Sequence, residues 1–217
     1  MAEIPYSLEE FWDIVRALAD DVRNCSGALE MLDRQGPEDQ STGPFWRKTC
    51  AYCIFALIEG ATYHLLYIAY VARHTRGVVF TLEELEALEN AYDFDEEKRI
   101  EPGIEHKDIE PGLTPTQMIG RIKFAFNAFA RVHGSDYIMP NDGNGWAGIR
   151  LALQVKSEIS RPRFVSELEV SDDTVTSMLL GTPWFMQCLT ALLQDCRDCA
   201  ERRLAAWDAE DNNEPIM

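Results

Sequence analysis

Two Cys-x-x-Cys pairs, Cys50/Cys53 and Cys196/Cys199, are the first residues whose type and spacing could do chemistry. Together they would supply four thiolates, a zinc ligand set. Both pairs fall within stretches of helical periodicity, however, not on the turns that zinc sites use, and a thioredoxin-like motif would need a βαβ setting absent from the pattern. Cysteine in such places packs as a small hydrophobe. The chain is therefore expected to hold no metal and no cofactor, and its six cysteines to be reduced thiols and not a disulfide framework. Glu59 and His64 form a second candidate set. They interrupt a long apolar run, neither can stay unpaired in a dry interior, and buried ionisable groups concentrate at catalytic sites. Five residues turn about 500° around a helix, so the two do not closely share a face. His74 and His133 fall at helix ends, where a solvated or dipole-favoured imidazole is expected. His106 falls in a highly charged segment.

These side chains need rods to hold them. From Ala51 to Ala72 nearly every residue is apolar, which predicts a helix over residues 45–76, about 48 Å long and covered on most sides. Pro44 suits its first turn, and Arg73 and Arg76 its last. About 20 apolar residues would also cross a bilayer. Glu59 near the middle would cost roughly 2.5–3.5 kcal/mol there, and basic residues flank both ends, so a core helix is expected and not a membrane span.

Around this rod the sequence places further helices. Ser7-Leu8-Glu9-Glu10, Thr81-Leu82-Glu83-Glu84 and Thr114-Pro115-Thr116-Gln117 read as capping boxes. The first opens a helix with the stripe Leu8, Phe11, Trp12, Val15, Leu18, Ala19 and Val22, followed by a polar connection at residues 35–43. Gly77 is a cap, and residues 93–112 read as a charged loop. The third box opens a helix that buries Met118, Ile122, Ala125, Phe126 and Phe129 and stops near Gly134. A helix through Ile149, Leu153 and Val155 emerges from the turn-rich residues 140–148 and ends before Pro162. Ser171 starts another, which Gly181-Thr182-Pro183 kinks or restarts. Residues 184–207 are helical again, and the acidic tail at 208–217 is expected to be loose. Nothing alternates like a strand. The fold class is all-α, a single-domain helical bundle over residues 1–217 around one long central helix.

The formal net charge of −17 favours solubility and disfavours RNA or any other nucleic acid as a broadly gripped partner. The N-terminal MAEIPYSLEE has no basic region followed by an apolar one, so a cytoplasmic location without membrane attachment is expected.

One segment is more specific. Residues 145–171, GWAGIRLALQVKSEISRPRFVSELEVS, combined with Phe55-Ala56-Leu57-Ile58-Glu59-Gly60, resemble a bacterial branch of the HEPN superfamily of helical nucleases and nucleotide-binding proteins. In that branch a helix carries Arg-Asn, three residues, then His and Pro, followed by a short loop and a Leu-Glu-Val-Ser-Asp-like helix start. This chain keeps the frame from Trp146 through Pro162 to Leu168-Glu169-Val170-Ser171-Asp172, and the resemblance covers roughly residues 45–180. At the positions of chemistry it departs. Lys156 stands for the arginine, Ser157 for the asparagine and Arg161 for the histidine. In HEPN ribonucleases the arginine and histidine serve metal-independent attack of a 2′-hydroxyl on the adjacent phosphate. Lys156 can still hold a phosphate as a point charge, but a guanidinium cannot exchange a proton near neutral pH.

The resemblance thus implies a HEPN-like protein that has lost nuclease chemistry and acts through a partner protein, such as an antitoxin, or as a homodimer, in a prokaryotic stress or defence setting. The runner-up is an endoribonuclease of toxin or phage-defence type using Lys156, Ser157 and Arg161 with Glu59 and His64, which requires these groups to converge in one groove. A third reading is a nucleotide or phosphate-ligand binder gripping its anion through Lys156, Arg161 and Arg163. The string Arg99, six residues, His106 also fits the family spacing, but it lies in a Pro/Gly-rich segment and reads as chance.

Overall fold

The computed structural model describes residues 8–35, 42–92 and 113–211. Among these the chain forms seven α-helices and one 3-10 turn, and no strand. They are α1 (Leu8–Gln35), α2 (Gly43–Arg76), α3 (Leu82–Tyr92), α4 (Pro115–His133), α5 (Gly143–Ser160), the 3-10 turn Val165–Leu168, α6 (Asp172–Leu179) and α7 (Gly181–Asp211). This is the all-α bundle expected from the periodicity.

α2 is its axis. It packs against α1, α3, α4, α5 and α6, while α7 closes the far side against α4, α5 and α6. Ile54, Leu57, Ile58, Ala61, Leu65, Leu66 and Ala69 of α2 are fully buried. By length and composition α2 could cross a membrane, yet half of its most apolar window is buried within the bundle. Against it α1 sets Phe11, Val15 and Val22, and α4 sets Met118, Ile122, Ala125, Phe126 and Phe129. The expected stripe of α1 starts at Phe11 and not at Leu8, which is half exposed.

The helix ends follow local chemistry. At Thr81 the backbone N–H donates to Glu84 Oε2 at 2.8 Å and Thr81 Oγ1 accepts from Glu84 N–H at 3.2 Å. Thr114 and Gln117 exchange the same pair of bonds at 2.8 and 3.3 Å. Each reciprocal cap satisfies two amides that a helix start would leave without partners. Gly77 and Gly134 close α2 and α4 at φ of 64° and 69°, left-handed backbone that a side chain would resist. Pro162 ends α5 where expected, and Gly181 restarts the chain as α7. Two boundaries differ from expectation. α5 begins at Gly143, inside the segment that reads as turn, and α7 runs on through Asp211, four residues into the stretch expected to be loose. The proposed box at Ser7, the charged loop at 93–112 with Arg99 and His106, and the rest of the tail lie outside the described residues.

α5 is positioned by close backbone approach. A Cβ on Gly148 would lie 2.6 Å from the Ser177 carbonyl oxygen and 2.7 Å from the Gly181 nitrogen, so α5 crosses the α6–α7 junction where only glycine fits. Trp146, buried two residues earlier, tilts against Trp184 of α7 at 5.8 Å between ring centroids.

Candidate functional site

The C-terminal half of α5 carries Leu153, Lys156, Ser157 and Ser160 at steps of three and four, hence on one face. With Arg161 at the helix end they form one wall of a groove. Phe55 of α2 lines its floor, and Leu113, Pro115 and Met118 at the start of α4 form the other wall. The groove has a free volume of about 40 Å³, room for a few waters or one small anionic group and not for a base and sugar.

Lys156 is half-buried, with Nζ 3.9 Å from the centroid of the Phe55 ring. The ring face attracts the ammonium and fixes a flexible side chain in place, an interaction worth about 0.5–1 kcal/mol at a partly exposed site. Arg161 is exposed at the rim, and its backbone N–H donates to the Ser157 and Glu158 carbonyls at 3.2 and 3.3 Å. Two of the three cations expected to hold an anion therefore meet here, with the hydroxyls of Ser157 and Ser160 beside them. Arg163 does not line this groove. Its backbone N–H and that of Phe164 donate to the Glu167 carboxylate, which shapes the turn that leads away.

Glu59 and His64 do not join this cluster as a pair. Phe55 and Glu59 are four residues apart and share a face of α2, whereas Phe55 and His64 are nine apart, about 180° around the helix and roughly 13 Å along it. Glu59 is exposed one turn beyond the groove floor, and its carboxylate acts on Arg121 of α4. Burial pulls the Arg121 guanidinium down from its ordinary value, and Glu59 with Tyr63 partly offsets this. His64 is buried on the α1 side, its ring edge-on to Phe11 at 6.3 Å and to Tyr63 at 5.3 Å. Burial lowers its pKa, favouring the neutral imidazole.

His133 departs from expectation. Although at a helix C-terminus, it is part-buried, stacked on Phe129 at 4.3 Å, with Nδ1 2.8 Å from the Phe129 carbonyl. Burial lowers its pKa more than that hydrogen bond raises it, and the charges of Arg76 and Arg203 lower it further. His74 is exposed, as expected at its helix end.

The Leu168-Glu169-Val170-Ser171-Asp172 string has a structural role here. Val170 is buried, Ser171 Oγ accepts from the Thr174 N–H at 3.2 Å, and Asp172 receives a two-pronged contact from Arg47 of α2 at 2.5 and 2.9 Å. Sequence reasoning missed Arg47, because only the fold brings the start of α2 to the start of α6.

All six cysteines are free thiols, five of them buried. Among the described residues no group of three or more His, Cys, Asp or Glu side chains is arranged to hold a metal ion. No protein-family model, no curated protein and no solved structure matches the chain.

Proposed function

We propose that this chain is a HEPN-like helical protein that binds and does not cut, presenting Lys156 and Arg161 to an acidic group of a partner protein or of a second copy. One observation carries the reading. Among the described residues that line the groove there are two cations and two serine hydroxyls but no imidazole and no carboxylate. Cleavage by an adjacent 2′-hydroxyl needs a group that accepts and returns a proton near neutral pH, and permanently charged guanidinium cannot serve. The same cations suit a static grip on a carboxylate or phosphate.

The surroundings favour a protein partner. Leu113 in the groove wall is 45% exposed, and Phe164 and Val165, just past Arg161, are 69% and 79% exposed. Large apolar side chains beside a buried-stem cation are the composition of a docking face. The test is a metal-free incubation of purified protein with single-stranded and hairpin RNA. Intact RNA is the expected result. Cleavage that Lys156→Ala and Arg161→Ala abolish overturns the reading and restores the endoribonuclease alternative.

A phosphate-ligand binder is the second reading, favoured by the placement of Lys156 over Phe55 beside Ser157, Ser160 and Arg161. Calorimetry with inorganic phosphate and with nucleotides tests it. Heat at millimolar ligand that Lys156→Met removes supports it, and no heat counts against it.

A further inference from the structure

The three thiols between α1 and α2 are not used by the groove. Cys25 Sγ of α1 lies 3.5 Å from Cys53 Sγ of α2. Cys50, one turn before Cys53, is fully buried in the core. Cys53 thus meets, across the helix interface, a cysteine outside its Cys-x-x-Cys string. Cys25 is nearly buried and Cys53 partly exposed, so a small oxidant reaches the pair from the Cys53 side.

We propose that Cys25 and Cys53 are an oxidant-sensitive dithiol that closes to a reversible disulfide between α1 and α2 when the protein meets a peroxide. The thiols are already in contact, and a covalent S–S bond of about 2.05 Å requires them to approach by a further ~1.5 Å, within reach of rotamer adjustment on two packed helices.

The roles of the two sulfurs differ. Burial pushes the Cys25 thiol up, and the hydrogen bond from Cys53 partly offsets this. Burial and then the hydrogen bond to Cys25 push Cys53 up to about 12. The Asp21 carboxylate, one turn before Cys25, raises both. Both thiols are thus held above their ordinary range, and Cys53, the partly exposed one, is the sulfur that peroxide meets first. Its thiolate attacks one oxygen of hydrogen peroxide: an S–O bond forms, the O–O bond breaks, and the departing hydroxide takes a proton to become water. The Cys25 sulfur then displaces the sulfenic hydroxyl, forming the S–S bond, and that hydroxyl leaves as a second water with the Cys25 proton. Two thiols lose two electrons in all, and one peroxide is reduced to two waters.

The bond would join positions 28 residues apart, across the connection between α1 and α2. Closing a loop of that length restrains the unfolded chain and raises the thermal midpoint of a domain this size by about 6–12 °C. The test treats the full-length protein with stoichiometric hydrogen peroxide, blocks remaining thiols and maps non-reduced peptides by mass spectrometry. A peptide joining Cys25 to Cys53, lost on treatment with dithiothreitol, is expected, together with the reversible rise in thermal midpoint. Cys25→Ser and Cys53→Ser should each abolish both effects, and Cys50→Ser should retain them. Both residues still blocked as free thiols after peroxide, a link to Cys50 instead, or sulfinic acid at Cys53 without a cross-link would each overturn the proposal. If a serine variant does not fold, the wild-type peptide map decides by itself.

Discussion

Gly148 offers the sharpest test of how the groove is positioned. A Cβ there would meet the Ser177 carbonyl oxygen at 2.6 Å and the Gly181 nitrogen at 2.7 Å. Both are backbone atoms, so neither can rotate aside as a side-chain tip would. Replacing glycine by alanine inside a helix gains about 1 kcal/mol of propensity. Forcing a methyl into a filled space costs about 1–3 kcal/mol, and more where two helices must separate. Gly148→Ala should therefore lose about 1–2 kcal/mol net, which for a chain of this size lowers the thermal midpoint by roughly 2–8 °C. Two other helical glycines calibrate the measurement. Gly120 in α4 has open space around its Cβ position, so Gly120→Ala should gain up to ~1 kcal/mol and raise the midpoint by about 2–4 °C. At Gly60 the obstacle is the Leu18 Cδ1 tip at 2.8 Å, which can move, so the alanine gain and the packing loss should nearly cancel. Far-UV circular dichroism through thermal and urea unfolding reads all three. Gly148→Ala as stable as wild type, alongside a stabilised Gly120→Ala, would mean that α5 does not rest backbone to backbone on the α6–α7 junction, and the placement of Lys156 two turns along would fall with it.

Other consequences can be measured with the same unfolding assays. Phe55→Ala and Lys156→Met together should show a coupling of about 0.5–1 kcal/mol in a double-mutant cycle, and additive effects would refute the cation–ring contact. Arg131 donates to Glu84 Oε1 at 2.6 Å and to the Val79 carbonyl at 2.9 Å, and its guanidinium lies 4.4 Å over the Phe80 ring. Because the pair is partly exposed, Arg131→Ala should cost about 1–2 kcal/mol, a value above that of an ordinary surface ion pair, read as a lowered urea midpoint. His64 and His133, both lowered by burial from 6.5, bind a proton less readily folded than unfolded. Their contribution is intact above pH ~6.5 and is lost as pH falls from there toward their lowered folded values, so stability should decline over that interval and His64→Gln should flatten the decline. At Glu84 burial raises the carboxyl, but the hydrogen bonds from Thr81 and Arg131 outweigh it, so a second loss of stability should begin below pH ~4.5, and Arg131→Ala should diminish it.

The bundle was legible because its signals are local. The apolar run of α2, the Thr-x-x-Glu and Thr-x-x-Gln boxes, and Pro162 each act within one or two turns, and each forms the element its chemistry requires. The start of α5 was misread because Pro140-Asn141-Asp142-Gly143-Asn144-Gly145 has turn composition, while the Trp146–Trp184 contact and the glycine crossing at Gly148 reward helix there. Tertiary packing overrode propensity. His133 was misread for a related reason, since its place at a helix end is visible in sequence but the burial that lowers its pKa is not.

The site divides along the same line. Helical phase alone separates Glu59 from His64, and the structure places them on the α4 and α1 sides of α2. That Phe55 lies under Lys156 depends on how α2 meets α5, which no spacing within one segment encodes. Arg121 is the intermediate case. It follows Met118 by three residues and precedes Ile122 and Ala125, so a cation borders the buried stripe of α4 and requires an anion nearby. Glu59 is the sole acid in α2, the helix that α4 packs against. An acid and a cation at the borders of facing apolar helices could have been set against each other before any coordinates, which would have placed Glu59 near Arg121. With Glu59 exposed outside the groove and His64 turned toward α1, Lys156 and Arg161 line the groove with no carboxylate or imidazole beside them among the described residues.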